Sequence, residues 1–339
     1  MPPRYLVWRS QILLLFWVGT AHAGGALFDS DKVLEVSLQG PLQQTIEDRE
    51  ERRAWPFKLL MDGQEFPVSV RVRGNSRARV CHFPPLRLQF GSDAAVGGVF
   101  AGHDKLKLVT HCKAKANYEE NVLAEYAAYR IFALLSDTAY RTRLLRISYT
   151  DTASSASEPL IRYGFLLEPT TDLAARVEAE LAETPNVVKS LLQPDQAALV
   201  FVFHYLIANT DWSLVTATGE EHCCHNGTLL AKEGMHYLVP YDFDLAGLVN
   251  ARYARPDPSV GIRSVRVRRY RGYCIPDLQI MAAVQAIRDR EAEITALVQD
   301  LPATGGKETK RRLELLERFF QKARNDEELV ATLERKCIG

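Results

Sequence analysis

Two acidic turns, each at the end of a buried element, constrain this chain more than any other feature. An apolar run, Phe201-Val202-Phe203-His204-Tyr205-Leu206-Ile207, is followed by Asn209-Thr210-Asp211, and a second, His236-Tyr237-Leu238-Val239-Pro240, by Asp242-Phe243-Asp244. The first run is too apolar for a surface, and the polar residues after it suit a loop. The second reads as a buried strand whose end delivers Asp242 and Asp244 while Phe243 turns the other way. Oxygen ligands on such loop tips can converge on a hard cation and, through it, on phosphate oxygens. A single aspartate after Pro-Tyr is ordinarily a turn residue or helix cap. Three acids at the ends of buried elements instead suit magnesium-dependent phosphoryl transfer.

The 339 residues, 47% of them hydrophobic, suffice for one large domain or two modest halves with a sizeable core. With 42 basic and 42 acidic residues the formal net charge is +0, so nothing global points to nucleic acid or an anionic membrane. Arg4 and Arg9, the apolar run Ile12 to Val18, and Ala21-His22-Ala23 have the layout of a secretory signal peptide over residues 1–23. No later apolar run approaches the roughly 18 residues of a membrane span. The mature chain is therefore expected to be soluble and extracytoplasmic, in the periplasm or secreted. All six cysteines follow that segment, and an even count in an exported chain predicts disulfides. Strands over Pro85 to Phe90 and Lys105 to Val109 would form a long-looped hairpin that brings Cys81 and Cys112 together.

Strand patterns fall at Val33 to Leu38, Phe66 to Gly74, Pro85 to Phe90, Lys105 to Thr110, Arg143 to Thr150 and Leu160 to Leu167, with a helix at Tyr118 to Leu135. From Thr171 the pattern becomes helical: Asp172 to Glu183, Gln193 to Ala208, Ile275 to Leu301, Thr309 to Lys322 and Asp326 to Arg335. Ser154-Ser155-Ala156-Ser157 reads as a hairpin tip. The expected fold is α+β and two-lobed, with a sheet-rich N-lobe over 24–170 and a mainly helical C-lobe over 171–339 that carries the acidic loops. Nucleotides commonly bind between such halves.

Arg71-Val72-Arg73-Gly74-Asn75-Ser76-Arg77 places Arg71 and Arg73 on one strand face before a turn with free backbone N–H groups, an arrangement that can cradle phosphate. It lacks the Gly-Lys-Ser/Thr ending of a P-loop. Arg87, Lys105 and Lys107 add cations on neighbouring strands, and a glutamate on the crossing helix can pair with one of them to hold nucleotide phosphates. Glu125, set among apolar Leu123, Ala124 and Tyr126, is the carboxylate expected to point inward. His222-Cys223-Cys224-His225 is too compact for one tetrahedral zinc, so disulfides are expected there. Asn226 can supply a second oxygen ligand beside Asp211. Arg263, Arg266, Arg268, Arg269 and Arg271 could bind an acidic protein substrate or the nucleotide's phosphates, and are read first as counter-charge for the acidic loops.

The segments Val72 to Arg77, Leu106 to Cys112, Glu125 to Arg130, Asn209 to Ser213 and Pro240 to Asp244 together resemble the spore-coat-protein-H (CotH) atypical kinases and their secreted bacterial relatives, over about residues 60 to 275. Pro84-Pro85 stand where that family often has lysines, and the cysteine-bearing stretch between Asp211 and Asn226 departs from its spore-coat members. The resemblance implies a protein-kinase-like fold, ATP with Mg2+ (or Mn2+), and a secreted or cell-envelope protein as substrate. Asp211 would be the catalytic acid of the Asn-x-Asp motif, with Asp242, Asp244 and Asn226 on the metal and Arg73, Arg87, Lys107 and Glu125 around the nucleotide. A catalytically silent extracytoplasmic binding protein and a metal-dependent phosphohydrolase are the rival readings.

Overall fold

The computed structural model describes residues 27–91, 98–113, 115–153, 158–214, 223–302 and 306–339. The expected signal peptide, the tip at 154–157 and His222 lie outside these residues. Strands β1 (Leu34–Gly40), β2 (Trp55–Met61), β3 (Gln64–Val72), β4 (Leu86–Phe90), β5 (Lys105–Val109), β6 (Thr142–Asp151) and β7 (Leu160–Leu167) form a closed barrel in the order β1-β2-β3-β4-β5-β7-β6. Every neighbouring pair is antiparallel except β1 with β6, whose parallel register from Leu34–Leu145 to Gly40–Asp151 shuts the barrel.

This closure corrects the expected two-lobed kinase-like fold with its sheet-rich N-lobe. Alternation of polar and apolar residues tells which face of a strand is buried, but not whether the outer strands meet. The deciding element was β2, absent from the strands expected from the sequence. Pro56 breaks its pattern, and proline argues against a strand interior. Once β2 links β1 to β3, no free edge remains between the two ends of the meander. The inward residues Leu59, Val70, Val72, Leu86, Leu88, Leu106, Leu108 and Leu166 fill the barrel, all buried.

Two short helices, α1 (Leu42–Glu47) and α2 (Ser76–Val80), flank the barrel, and α3 (Ala116–Leu135) crosses it against β7. The second half contains α4 (Thr170–Arg176), β8 (Glu180–Leu181), α5 (Pro194–Leu206), the hairpin β9 (Gly227–Lys232) and β10 (Met235–Pro240), and then α6 (Asp277–Asp289), α7 (Glu291–Gln299), α8 (Gly306–Ala323) and α9 (Asp326–Glu334). Strands β8, β9 and β10 make a separate small sheet. The helix expected over Asp172 to Glu183 stops at Arg176 so that β8 can pair with β9, and the one expected over Ile275 to Leu301 is two helices that meet at Arg290. The buried faces of α3 and α5 to α9 merge into one large cluster distinct from the barrel interior. No described helix is long and apolar enough to cross a membrane.

All six cysteines are paired, as Cys81–Cys112, Cys223–Cys224 and Cys274–Cys337. The first is the bridge that the β4/β5 register predicts, and Phe83 and Cys112 also pair through their backbones at 2.8 Å. Replacing Cys81 and Cys112 together by serine is expected to cost about 2–4 kcal/mol, since the unfolded chain regains the freedom of that loop. The midpoint of urea unfolding measures this, and an unchanged midpoint would show that the bridge contributes nothing.

Candidate functional site

At the end of β3 the chain turns through Gly74, whose φ of +89° suits a residue without a side chain, and enters α2 with Arg77 facing inward. The Arg77 guanidinium meets both carboxylate oxygens of Glu125 on α3, at 2.9 and 3.1 Å. It also reaches Asp242 Oδ1 at 3.0 Å and Asp244 Oδ2 at 3.4 Å. One buried cation thus serves three carboxylates drawn from two distant segments. Burial opposes its charge, yet Glu125, Asp244 and Asp242 hold Arg77 protonated, well above its ordinary value. The acids carry the imbalance. Burial, with help from Asp242 and Glu125 and against Arg77, pushes Asp244 up to about 8, and burial likewise raises Glu125.

The loop after β10 is fixed from several sides. Asp242 has a φ of 58°, and its N–H donates to the Tyr129 hydroxyl at 2.9 Å. Phe243 is fully buried against the rings of Tyr129, Phe203 and His204. Opposite directions for Phe243 and its neighbours leave the Asp242 side chain 41% exposed, whereas Asp244 is 7% exposed and accepts from the Tyr253 hydroxyl at 3.0 Å. Gly247 and Leu248 donate to the carbonyls of Ala208 and Ile207, which docks this loop onto the end of α5. A β-carbon at Gly247 would lie 2.6 Å from the Val265 carbonyl oxygen and 2.7 Å from the Ala208 β-carbon, so only glycine fits there.

Asp211 sits just beyond that same helix end. Its N–H donates to Asn209 Oδ1 at 3.0 Å, and Asn209 in turn lies 3.2 Å from Nδ1 of His204. His204 is buried and stacked on Trp212, and burial lowers its pKa to about 3, so it is a neutral prop. The Asp211 carboxylate receives Asn226 Nδ2 at 2.9 Å and lies 3.1 Å from His225 Nε2. That hydrogen bond raises the His225 pKa, and the charges of Asp211 and Asp242 add to it. His225 therefore lies within electrostatic reach of both acidic loops.

Cations border the acids on the barrel side. The register sets Arg71 opposite Arg87 and Arg87 opposite Lys107, so the three side chains share the outer face of β3, β4 and β5. Arg73 follows Arg71 on that face. Burial, together with Arg73 and Arg87, lowers Lys107 to about 8, with Asp242 as the opposing charge. Burial lowers Arg73 too, against the pull of Asp242. None of Arg71, Arg73, Arg87 and Lys107 forms an ion pair among the described residues.

The structure thus brings Arg73, Arg87, Lys107, Glu125, Asp242 and Asp244 to one region, with Asp211 and Asn226 joined to it through His225. The partner of Glu125 is Arg77, not a strand lysine or arginine. Arg77 was missed as a site residue because it lies past the turn, in a helix too short to show a period. The glycine before it was the available signal, since Gly-Asn-Ser marks a reversal that can turn the next side chain inward. Tyr129 and Tyr253 were invisible in sequence, each being one aromatic among many. In the arginine-rich segment, Arg268 caps the carbonyls of Tyr205 and Leu206, and Arg271 reaches the carbonyl of Thr210 beside Asp211. Among the described residues no group of three His, Cys, Asp or Glu side chains is arranged to hold a metal ion.

No protein-family model and no curated protein sequence matches the chain. Among solved structures, it is similar to the Helicobacter pylori proinflammatory kinase CtkA at 11% identity, with a TM-score of 0.37, over 81% of this chain and 91% of that one. At that distance the likeness assigns no role to any residue.

The raised value of Asp244 has a consequence for stability. Between about pH 4 and about pH 8 the folded state holds a proton that the unfolded chain has lost, so stability falls as pH rises through that window. Asp244→Asn is expected to flatten the decline in part, with Glu125 supplying the same sign. Urea midpoints at pH 5 and pH 8 test it, and parallel declines in both proteins would assign the slope elsewhere.

Proposed function

We propose that this chain is an exported, metal-dependent phosphotransferase of the spore-coat-protein-H kind, moving the γ-phosphate of ATP to a protein hydroxyl. One observation carries the reading: cations with no carboxylate of their own, Arg73 and Lys107, lie within electrostatic reach of the exposed Asp242. A polyphosphate beside a hard cation supplies both of the charges that such a surface lacks.

The donor set suits magnesium. Asp242 Oδ2, Asp244 Oδ1 and Asn226 Oδ1 have no hydrogen-bond partner among the described residues, and magnesium asks for one or two carboxylates besides phosphate oxygens. Magnesium, when bound, would neutralise charge on the β- and γ-phosphate oxygens. Asp211, oriented by Asn226 and His225, accepts the proton of the acceptor hydroxyl as its oxygen bonds to the γ-phosphorus. The bond from that phosphorus to the bridging oxygen breaks, and ADP leaves with the electron pair. Arg73, Arg87 and Lys107 hold the departing phosphates, so positioning and charge supply the rate.

A second reading has its own support. Arg77 already compensates Glu125, Asp242 and Asp244, as in a protein that grips an anionic partner without metal or chemistry. Thermal stability with ATP, with and without magnesium, separates the two. Under phosphotransfer, saturation at about a hundredfold Kd adds about 2.7 kcal/mol and requires the metal. Transfer of labelled phosphate to itself or to a generic acidic protein should disappear in Asp242→Ala. Equal labelling by wild type and variant would sink the assignment.

A further inference from the structure

The cationic face is longer than the acidic site needs. Arg71, Arg87 and Lys107 occupy directly opposed positions on three adjacent strands, so they form a file across the barrel. Lys107 is at the inner end, since the residue opposite it on β7, Leu167, is buried in the cluster of the helical half. Arg71 is at the outer end. Arg87 lies directly opposite it, and the charges of Arg87 and Arg52 both act on it. Arg52 is held in place, its Nη2 donating to the Gly74 carbonyl at 2.9 Å and to Asn75 Oδ1 at 3.2 Å. Neither Arg52 nor Arg71 forms an ion pair with a carboxylate among the described residues.

The two ends of the file differ in their surroundings. Arg73 and Lys107 have the opposing charge of Asp242, whereas burial and the charges of Arg87 and Arg52 all disfavour the charged form of Arg71. Like charges kept in register repel, and like charges directly opposed across strands are destabilising. A carboxylate on a neighbouring strand would relieve this, and at other places on the barrel the chain uses that device: Arg146 pairs with the directly opposed Glu35, and Lys58 with Glu65 diagonally across the strands. Lys107, at the inner end, has Asp242 as an opposing charge, whereas among the described residues Arg71 and Arg52 have no such relief, so the complement of the outer end is an anion from outside the chain.

We propose that Arg52 and Arg71 form a docking site for an acidic peptide segment, carboxylates flanking the hydroxyl that receives the phosphoryl group. The proposal rests on the phosphotransferase reading and narrows its substrate class. The inner cations Arg73, Arg87 and Lys107 remain with the phosphoryl donor. The Gly74-Asn75 turn, to which Arg52 is bonded, leads directly to Arg77 and so ties the docking site to the acidic centre.

The test uses the full chain, with a fluorescent serine peptide flanked by glutamates and a neutral control with glutamines at the same positions. Fluorescence anisotropy reads binding without any need for catalysis. Wild type is expected to bind the acidic peptide at least tenfold more tightly than the control, with the difference shrinking as salt rises. The Arg52→Gln/Arg71→Gln variant, which removes both charges without setting a carboxylate opposite Arg87, should lose that preference while its ATP-dependent thermal shift is unchanged. Equal binding of both peptides by wild type, or an unaltered preference in the variant, overturns the proposal. Loss of nucleotide stabilisation in the variant also overturns it, by assigning the outer pair to the donor. Tight acidic-peptide binding with no phosphate transfer would instead remove the phosphotransferase reading and leave the docking site standing.

Discussion

The bidentate contact between Arg77 and Glu125 is the interaction on which the site depends. It joins the turn after β3 to the helix that crosses the barrel, and the same guanidinium continues to Asp242 and Asp244 on a loop far along the chain. Charges so well buried are costly to remove from water, and a partner left alone costs roughly 3–5 kcal/mol. The network therefore fixes the relative placement of three segments more than it adds net stability. It also decides which acid is available. Asp244 and Glu125 are enclosed and shifted toward the protonated form, while Asp242 is more exposed and keeps one oxygen without a hydrogen-bond partner among the described residues.

Barrel closure gives the opposite sign of charge its place. Inward positions on β3, β4 and β5 are filled by Val70, Val72, Leu86, Leu88, Leu106 and Leu108, so the alternate positions must face out. A cation at one such position would be an ordinary solvated side chain. Register turns three of them into a row, because opposed residues of neighbouring strands are only about 5 Å apart. The inner end of that row, at Lys107, lies toward the helical half and has Asp242 as its opposing charge. The acidic and basic surfaces are thus set by two separate folding decisions, strand register and the docking of a loop on α5.

Much of this was legible in the sequence. The Phe201 to Ile207 run and the His236 to Pro240 run are so apolar that only burial accommodates them, and the acids after them could only be loops. Glu125 announced itself as a carboxylate among apolar neighbours, and the β4/β5 register gave one disulfide. Barrel closure was not legible, because pairing β1 with β6 joins residues about a hundred positions apart without leaving a local pattern. Strand β2 was masked by Pro56, and β9 by its place directly after the cysteine pair. Arg77 was hidden for a different reason. A helix of one turn has no period, and the direction of its side chain is set by Glu125, which lies well downstream.

Elements this short cannot hold themselves in place. An isolated helix the length of α2 would not form in water, since nucleation is unfavourable and few hydrogen bonds follow it. The chain supplies anchors near two such segments: Cys81, bonded to Cys112, closes α2 just after Arg77, and Cys274, bonded to Cys337, lies one short step beyond Arg271, whereas the bridge between the adjacent Cys223 and Cys224 stiffens only the turn before His225. Each crosslink thus neighbours a residue that contacts or orients an acid, or caps a carbonyl next to one. A centre whose like charges repel exerts a constant pressure to open, and the two bridges that join distant segments, Cys81–Cys112 and Cys274–Cys337, resist it without requiring additional buried apolar surface. That division of labour, with disulfides at the loops and hydrophobic packing in the barrel and around α5, lets the acids and cations remain unbalanced enough to bind something else.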